Sequence, residues 1–215
     1  MVKLSPSVLT ADFLNLKDDI KKLEAAGVDM LHLDIMDGIF VPNISFGMPL
    51  VKSIRSHTSL PLDVHLMIDR PHRYIEDFVK AGADILGFHY EAGSDNAETL
   101  KKIRELGCKS CITIKPNTEA ECIFDLLELC DMVLVMSVEP GFGGQKFMPV
   151  ALDKITAWKN ECERRGFAVD IEVDGGINDL TAPQAIKAGA SVLVAGNYIF
   201  SAEDMAARVK EIKAL

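Results

Sequence analysis

The chain lacks the features that mark membrane-spanning, secreted or nucleic-acid-binding proteins. Its longest apolar runs are shorter than the roughly 18 residues that a membrane-spanning helix needs. The opening stretch MVKLSPSVLTADF turns polar too early for a secretory signal, so we expect a cytoplasmic protein with no membrane partner. There are 23 basic and 32 acidic residues, a net charge of −9, and no Lys/Arg cluster stands out. We therefore expect no nucleic-acid partner.

Cysteine is too scarce and too irregularly spaced for a disulfide framework. The five cysteines are an odd number, which favours reduced thiols. Cys108 and Cys111 form a C-x-x-C, a spacing that some zinc and redox sites share, but a separation of three along a strand points the two side chains to opposite faces. No second pair follows at metal-ligand spacing. We predict that both are ordinary small buried residues.

Low-complexity and proline-rich linkers are also missing, and a regular alternation fills the 215 residues. Apolar residues at helical spacing separate short apolar strands, and the predicted helices 11–27, 70–84 and 179–191 each end at or near a glycine. Phe13 lies on the apolar stripe of the first of them. The predicted strands are 3–9, 30–36, 60–67, 83–90, 109–114, 131–136, 168–173 and 190–196.

Eight strand–helix units, spaced by about 25 residues, predict the fold class. It is α/β, a single (β/α)8 TIM barrel that forms one catalytic domain over residues 1–215. The pattern alone leaves a count of seven or nine strands open. The alternative fold is a doubly wound open sheet, which would more naturally carry G-x-G-x-x-G after its first strand. SPSVLTADF contains no such motif.

Polar side chains interrupt three predicted strands near their C-terminal ends, where barrels of this kind carry their chemistry. His32 and Asp34 share an inward face of the second strand, His65 has the same parity on the third, and Asp174 follows the seventh. Two imidazoles and two carboxylates predict a metal site that suits zinc, iron, manganese or cobalt better than calcium. The alternative is that hydrogen bonds or ion pairs satisfy each group separately. Asp37 has the opposite parity, and we predict that it organises the following loop.

Glycine turns follow the last three predicted strands. They lie in SVEPGFGGQKFMP (137–149), DGGIN (174–178) and AGNYIF (195–200). Glycines there let backbone N–H groups approach an anion closely, which is the usual phosphate site of such barrels. The alternative is that they only form tight turns that need positive φ. Three such turns in succession favour a small phosphorylated ligand.

The motifs SPSVLTADF, HLDIMDGIFVPNISFG, DVHLM, VMSVEPGFGGQKF, VDGGI and VAG resemble the ribulose-phosphate 3-epimerase family, from the first strand to the last. The resemblance implies an isomerase of carbohydrate metabolism that inverts C3 of a ketose phosphate, converting ribulose 5-phosphate to xylulose 5-phosphate. The pentose phosphate pathway and carbon fixation both use this reaction. The resemblance also implies one divalent metal ion per subunit, zinc or iron first and manganese or cobalt otherwise, and a homo-oligomer.

Carried over by motif, the resemblance assigns roles to individual residues. The metal ligands would be His32, Asp34, His65 and Asp174, and the two aspartates would also be the acid/base pair of a reaction through an enediolate. The substrate-binding residues would be Ser7 and His65 at the sugar, Met36, Met67 and Met136 along its cavity, and Gly141, Gly143, Gly144, Gly175, Gly176, Gly196 and Asn197 at the phosphate end.

Two segments depart from the family pattern. The family usually reads AGSAIF where this chain has Asn197 and Tyr198 in AGNYIF, and it often has His after MDG where this chain has Ile39. Asparagine can still donate to a phosphate oxygen, so we expect the function to be retained. Relatives that epimerise six-carbon substrates such as allulose 6-phosphate diverge in the same region, which leaves the length of the sugar open.

Two other functions compete with this interpretation. One is a decarboxylase or lyase of a phosphorylated metabolite, which would place a lysine at the active end of a strand; Lys115 in ITIKPN is the one strand-end lysine. The other is a sugar-phosphate-binding barrel whose catalytic residues have decayed. The presence of all four candidate metal ligands weighs against that decay.

Overall fold

A ring of eight parallel β-strands forms the centre of the protein, which a computed structural model describes over residues 2–215. Strands β2 to β8 pair in chain order, and β8 also pairs with β1. Between β1 and β2 the ring closes through a single bridge at Ser7 and His32, where the His32 N–H donates to the carbonyl of Pro6 at 3.0 Å. The predicted TIM barrel is therefore confirmed. The strands are Lys3–Ser5, Leu31–Met36, Leu62–Met67, Ile85–His89, Lys109–Ile114, Met132–Met136, Asp170–Asp174 and Val192–Val194.

Helices connect the strands around the outside of the ring. Between β5 and β6 the connection is a 3₁₀ helix, Ala120–Leu129, instead of an α-helix. It is held against α5 by Trp158, whose indole N–H donates to the carbonyl of Ala120 at 2.9 Å. Shorter 3₁₀ helices cover Val8–Thr10 and Pro71–Arg73. Helices α1 to α8 are Leu16–Ala26, Met48–Arg55, Ile75–Ala81, Asn96–Glu105, Val150–Arg165, Ala182–Ala188, Asn197–Phe200 and Met205–Lys213.

The first strand is shorter than predicted, and Phe13 is not part of the first helix. Strand β1 ends at Ser5, because Pro6 has no N–H to continue the ladder and the Ser7 hydroxyl accepts from the Leu9 N–H to start a 3₁₀ turn. Phe13 precedes α1, is 51% exposed and contacts the ring of Phe46 edge-on. Its predicted place on the buried stripe is wrong. The apolar spacing continued past the point at which the backbone becomes helical.

Glycine ends the predicted helices as expected, although the helices themselves are shorter than 70–84 and 179–191. Gly27 and Gly82 adopt φ values of 86° and 113°, and the N–H of each donates to carbonyls of the last helical turn. The strands alternate as predicted, with Leu31 and Leu33 packed outward in the core that the helices cover.

The two cysteines of the C-x-x-C, Cys108 and Cys111, are buried free thiols, which confirms the prediction that they are ordinary buried residues. No helix within residues 2–215 is long and apolar enough to cross a membrane.

Candidate active site

The register between β2 and β3 brings the inward polar side chains of the two strands together. His32 lies opposite Asp63, Asp34 opposite His65, and Met36 opposite Met67. Side chains directly opposite each other on one face are close enough to hydrogen-bond. The His32 Nδ1–H donates to Asp63 Oδ2 at 2.6 Å, and His65 Nδ1 lies 3.2 Å from Asp34 Oδ1. This pairing leaves His32 Nε2 and His65 Nδ1 facing each other at 3.4 Å, on the side of Asp34.

The four predicted metal ligands form one cluster. His32, Asp34, His65 and Asp174 each offer one ligand atom, and these atoms all lie within 4.8 Å of one another. The donor set is two imidazole nitrogens and two carboxylate oxygens, which suits zinc and the neighbouring first-row divalent ions. The residues therefore fit a divalent cation. Asp174 comes from the far side of the ring, on β7, so the cluster exists only because the barrel closes.

The surroundings of His32 favour the protonated form of its imidazole. Burial disfavours a charge on His32, but Asp63 and Asp34 outweigh it and hold the pKa of this imidazole well above its usual value. Burial likewise disfavours the ionised form of Asp34, but the charge and hydrogen bonds of His32 and His65 hold its pKa well below the usual range. The carboxylates around His32 thus favour positive charge at this position, which is the kind of charge that a metal ion would supply.

Asp174 differs from Asp34 in its protonation. Burial, followed by the nearby charge of Asp34, raises the pKa of Asp174 to about 7. One aspartate is therefore ionised near neutral pH while the other is partly protonated. Glu172, two residues earlier on the same face of β7, is fully buried, and burial together with Asp63 raises the pKa of that carboxyl well above its usual value. We therefore treat Glu172 as a neutral acid in the layer below the cluster.

A cavity of about 240 Å³ opens above the cluster and collects most of the predicted substrate residues. Asp34 and Asp174 lie in its wall with Ser7, whose hydroxyl donates to Asp34 Oδ2 at 2.6 Å. His65 is buried behind this wall. The other predicted residues that line the cavity are Met36, Met67, Met136, Gly141, Gly143, Gly144, Gly175, Gly176, Gly196 and Asn197.

The three glycine turns also form part of the wall of this cavity. No lysine or arginine of residues 2–215 lines the cavity, so an anion there would be held by backbone groups. The N-terminus of α7, which begins at Asn197, has no side-chain cap, and the first N–H groups of a helix have no partner inside it. Gly176 has φ +65°, and a Cβ at this position would lie 2.5 Å from the backbone N of Phe147. Only glycine fits at this close approach.

Asp37 organises the loop after β2, as its parity predicted. Its Oδ1 accepts hydrogen bonds from the backbone N–H groups of Ile39 and Phe40 at 2.8 and 2.9 Å, and its Oδ2 accepts from the N–H of Asp69 at 2.7 Å. The carboxylate thereby ties this loop to the loop after β3. Asp37 is therefore architectural, whereas His32 and Asp34 belong to the cluster.

Two residues next to the cluster were missed by the sequence interpretation. His89 ends β4, is fully buried, and its Nε2 lies 2.9 Å from Nε2 of His65. Glu91 follows, with Oε2 3.4 Å from Nδ1 of His89. Burial lowers the pKa of His89 to about 4, so the ring is neutral. Ile85, Gly87 and His89 alternate along β4, and this pattern would have predicted that His89 faces the barrel interior. The contact of His89 with His65 on β3 could not be predicted from the sequence of a single strand.

Lys115, the strand-end lysine that a decarboxylase or lyase would need, does not line the cavity. Lys115 follows β5, and its ammonium group lies 4.0 Å from the ring centroid of Phe40, a cation–π contact. It is not among the residues that line the cavity. A decarboxylase or lyase that depends on a strand-end lysine is therefore disfavoured.

Comparisons with known proteins agree with this geometry. A family model described as the ribulose-phosphate 3 epimerase family matches residues 3–200. Over 214 residues the chain is 46% identical to a ribulose-phosphate 3-epimerase of Bacillus subtilis, with 99% of each chain covered. It is 45% identical, again over 214 residues, to a ribulose-phosphate 3-epimerase of Synechocystis, covering 99% of this chain and 93% of the relative.

Solved structures show the same fold at low sequence identity. A 3-hexulose-6-phosphate synthase superimposes with a TM-score of 0.72 at 20% identity, over 99% of this chain and 98% of that one. A mutant tryptophan synthase α-subunit from Pyrococcus furiosus gives 0.72 at 17% identity over the whole of both chains. These similarities establish the barrel and say nothing about the chemistry.

Proposed function

We propose, from the premise that this chain belongs to the ribulose-phosphate 3-epimerase family and is an enzyme of that family, that it inverts C3 of ribulose 5-phosphate to give xylulose 5-phosphate. We further propose that it uses one divalent ion and two aspartates. The observation that carries the proposal is a single cavity whose wall contains both carboxylates of the His/Asp cluster and the three glycine turns. The chain is taken as one catalytic domain over 1–215.

The ion would be held by His32, Asp34, His65 and Asp174, with zinc or iron first and manganese or cobalt as alternatives. Bound there, it supplies Lewis-acid stabilisation of the negative charge that develops beside C3. The protein contributes the orientation of the ligands. Asp63 holds the ring of His32 through Nδ1, and the Ser7 hydroxyl holds one oxygen of Asp34, so neither ligand needs to reorganise.

The two aspartates exchange the proton at C3. Removing the proton next to a carbonyl gives an enediolate, and returning a proton to the opposite face gives the other epimer. A base and an acid must therefore be present together, on different strands that flank the substrate. The lowered pKa of Asp34 and the pKa of about 7 for Asp174 support one ionised and one protonated carboxyl at the start of a turnover. Each takes the opposite role in the reverse direction.

The substrate would be oriented by its two ends. The phosphate would be bound by backbone N–H groups of the glycine turns at Gly143, Gly144, Gly175, Gly176 and Gly196, with the side-chain amide of Asn197 as a further donor. The apolar side chains of Met36, Met67 and Met136 are almost fully buried and would exclude water around the carbons. Binding energy at the phosphate then serves to position C3 between the carboxylates.

Incubation with ribulose 5-phosphate in D₂O tests the proposed reaction. We expect xylulose 5-phosphate to form with one deuterium at C3, seen by NMR, and we expect a higher kcat/KM than with allulose 6-phosphate. A preference for allulose 6-phosphate would assign the six-carbon substrate instead. The absence of exchange and conversion with both sugars, in protein that carries its metal, would reject the epimerase proposal.

The change of Gly176 to alanine is expected to raise KM for the phosphorylated substrate by about tenfold or more, because the backbone must move away from Phe147 and loses a charge-assisted hydrogen bond to the phosphate. Steady-state kinetics of the Gly176→Ala variant measure this KM. Gly166→Ala is the matched control: Gly166 has a similar φ of +73°, ends α5 and has open space around a Cβ. It is expected to cost about 1 kcal/mol of stability and leave KM unchanged. Equal KM values for both variants would argue against the phosphate assignment.

Location and assembly are further proposals. The five free thiols support a reducing compartment, the cytoplasm. Apolar side chains on the βα loops around the cavity support association of two or more copies, since Leu14, Ile39 and Ile44 are 95%, 78% and 75% exposed.

A further inference from the structure

His89 has no part in the reaction as proposed, yet it contacts a metal ligand. Its side chain is fully buried at the end of β4. Its ring is stacked on that of His65, with centroids 4.9 Å apart, and the ring of Phe40 lies on it with centroids 4.8 Å apart. These two neighbours fix the plane of the imidazole. What remains to be explained is why the residue is a histidine and not an apolar side chain of the same size.

The hydrogen bonds around the cluster determine which nitrogen of each ring carries the proton. His32 donates through Nδ1 to Asp63, so its Nε2 faces the cluster. The nitrogen of His65 that faces the cluster is Nδ1, 3.2 Å from Asp34 Oδ1. A nitrogen that binds a metal ion must present its lone pair. His65 therefore has to carry its proton on Nε2.

The proton on His65 Nε2 has one neighbour that can accept it. His89 Nε2 lies 2.9 Å away, and it accepts only if His89 carries its own proton on Nδ1. Nδ1 of His89 in turn lies 3.4 Å from Oε2 of Glu91. Within residues 2–215, neither atom makes a hydrogen bond at these distances, so each is the unsatisfied group that lies beside the other.

Glu91 is anchored at the far end of this chain. Its Oε1 accepts a hydrogen bond from the backbone N–H of Lys115 at 2.9 Å and another from the hydroxyl of Thr118. His89, followed by these two hydrogen bonds, outweighs the burial of the carboxyl and lowers the pKa of Glu91 to about 2, so Glu91 is a fixed negative acceptor. The loop after β5 that provides them is held by Lys154, whose ammonium donates to the carbonyl of Pro116 at 2.6 Å.

We propose that His89 is a positioning residue which, together with Glu91, holds His65 in the tautomer that binds the metal ion. The relay runs from Glu91 Oε2 through His89 to Nε2 of His65, with both protons pointing away from the metal. It is a carboxylate–histidine–histidine arrangement, one imidazole longer than the carboxylate–histidine pairs that usually orient metal ligands. The inference rests on the metal centre of the proposed function.

The test is Zn²⁺ affinity, measured by competition with a chromophoric chelator on wild-type protein and on His89→Leu and His89→Gln. Leucine offers no acceptor to His65, and we expect about 10- to 100-fold weaker Zn²⁺ binding. The amide oxygen of glutamine can replace the accepting Nε2, so His89→Gln is expected to bind within about threefold of wild type. Equal affinities for wild type and His89→Leu, or equal weakening in both variants, would overturn the proposal.

Coupling between the two residues is a second readout. Glu91→Gln is expected to weaken Zn²⁺ binding by a smaller factor than His89→Leu. Because Glu91 acts only through His89, adding Glu91→Gln to His89→Leu should weaken it no further. Full additivity of the two effects would show that Glu91 acts on the site by another route and would contradict the relay.

NMR of the wild-type protein tests the same proposal without any substitution, so that misfolding of a variant cannot affect the result. In ¹⁵N-labelled, Zn²⁺-loaded protein, long-range ¹H–¹⁵N spectra should show His65 protonated at Nε2 and His89 at Nδ1. A proton on Nε2 of His89 would overturn the inference. If wild-type protein bound no Zn²⁺, the metal centre itself would fail; normal Zn²⁺ binding and epimerisation with unchanged affinity in His89→Leu would reject the relay alone.

Discussion

Changing Asp34 or Asp174 to asparagine is expected to lower kcat for epimerisation by about a thousandfold, because each amide removes one of the two groups that exchange the proton at C3. Both side chains line the cavity, and their pKa values are shifted in opposite directions by their surroundings. Deuterium exchange at C3 additionally shows from which epimer the remaining aspartate removes the proton. With one aspartate left, exchange with solvent should persist from the epimer whose C3–H faces that aspartate, without conversion to the other epimer.

The two variants should retain exchange with opposite epimers, one with ribulose 5-phosphate and the other with xylulose 5-phosphate. Loss of exchange from both epimers in one variant, with full conversion in the other, would indicate a single base and reject the two-aspartate mechanism. Because both aspartates are also candidate metal ligands, the metal content of each variant must be matched to that of wild type.

Asp170→Asn is the control for this experiment. Asp170 lies on the same face of β7, at the opposite end from Asp174, and pairs with the ammonium of Lys3 at 2.6 Å near the surface. It does not line the cavity. We expect kcat within about twofold of wild type and a stability change no larger than about 1 kcal/mol, the usual range for a surface ion pair.

Removal of the divalent ion with a chelator is expected to abolish at least 99.9% of the epimerase activity, about a thousandfold loss, because charge beside C3 is then no longer stabilised. Zn²⁺, Fe²⁺, Mn²⁺ or Co²⁺ should restore the activity. Ca²⁺ is the control that should not, since it prefers six to eight oxygen ligands and the cluster offers two imidazoles. Full activity in protein shown to be metal-free by elemental analysis would reject the metal dependence.

The pH dependence of metal binding gives the same experiment a second measurement. Asp174 binds a cation most strongly after losing its proton, and its pKa is raised to about 7. His32 must also lose a proton, from an imidazolium whose pKa lies well above its usual value. Zn²⁺ affinity should therefore fall as the pH drops below 7, by about tenfold to a hundredfold per pH unit for one to two protons released. Calorimetry in buffers of different ionisation enthalpy counts those protons.

Much of the fold could be predicted because its signals are local. Alternation along β2 separated Leu31 and Leu33, which pack under the helices, from His32 and Asp34, which point into the barrel. Each assignment needs only the two-residue period of a strand. The glycine ends of the helices and the turn formed by Asp37 are equally local, since each depends on backbone conformation within a few residues.

The predictions that failed concern the ends of secondary-structure elements, which the local apolar pattern does not determine. The pattern 3–9 is apolar enough for a strand, yet Pro6 and the Ser7 turn stop β1 after Ser5. Phe13 continues the helical spacing of α1 but precedes the helix and contacts the ring of Phe46 edge-on, because apolar spacing does not determine where a helix begins. The 3₁₀ conformation of Ala120–Leu129 likewise depends on packing against another segment, α5.

For this protein the sequence alone determined which side chains face the interior, that the strands alternate with helices, and, through its motifs, which family it resembles. Tertiary structure decided which strand ends meet. The register of β2 on β3 pairs His32 with Asp63, and closure of the ring brings Asp174 to within ligand distance. The contact of His65 with His89 depends on a third strand. Such distances follow from the pairing of strands far apart in the chain, and no period within one strand encodes them.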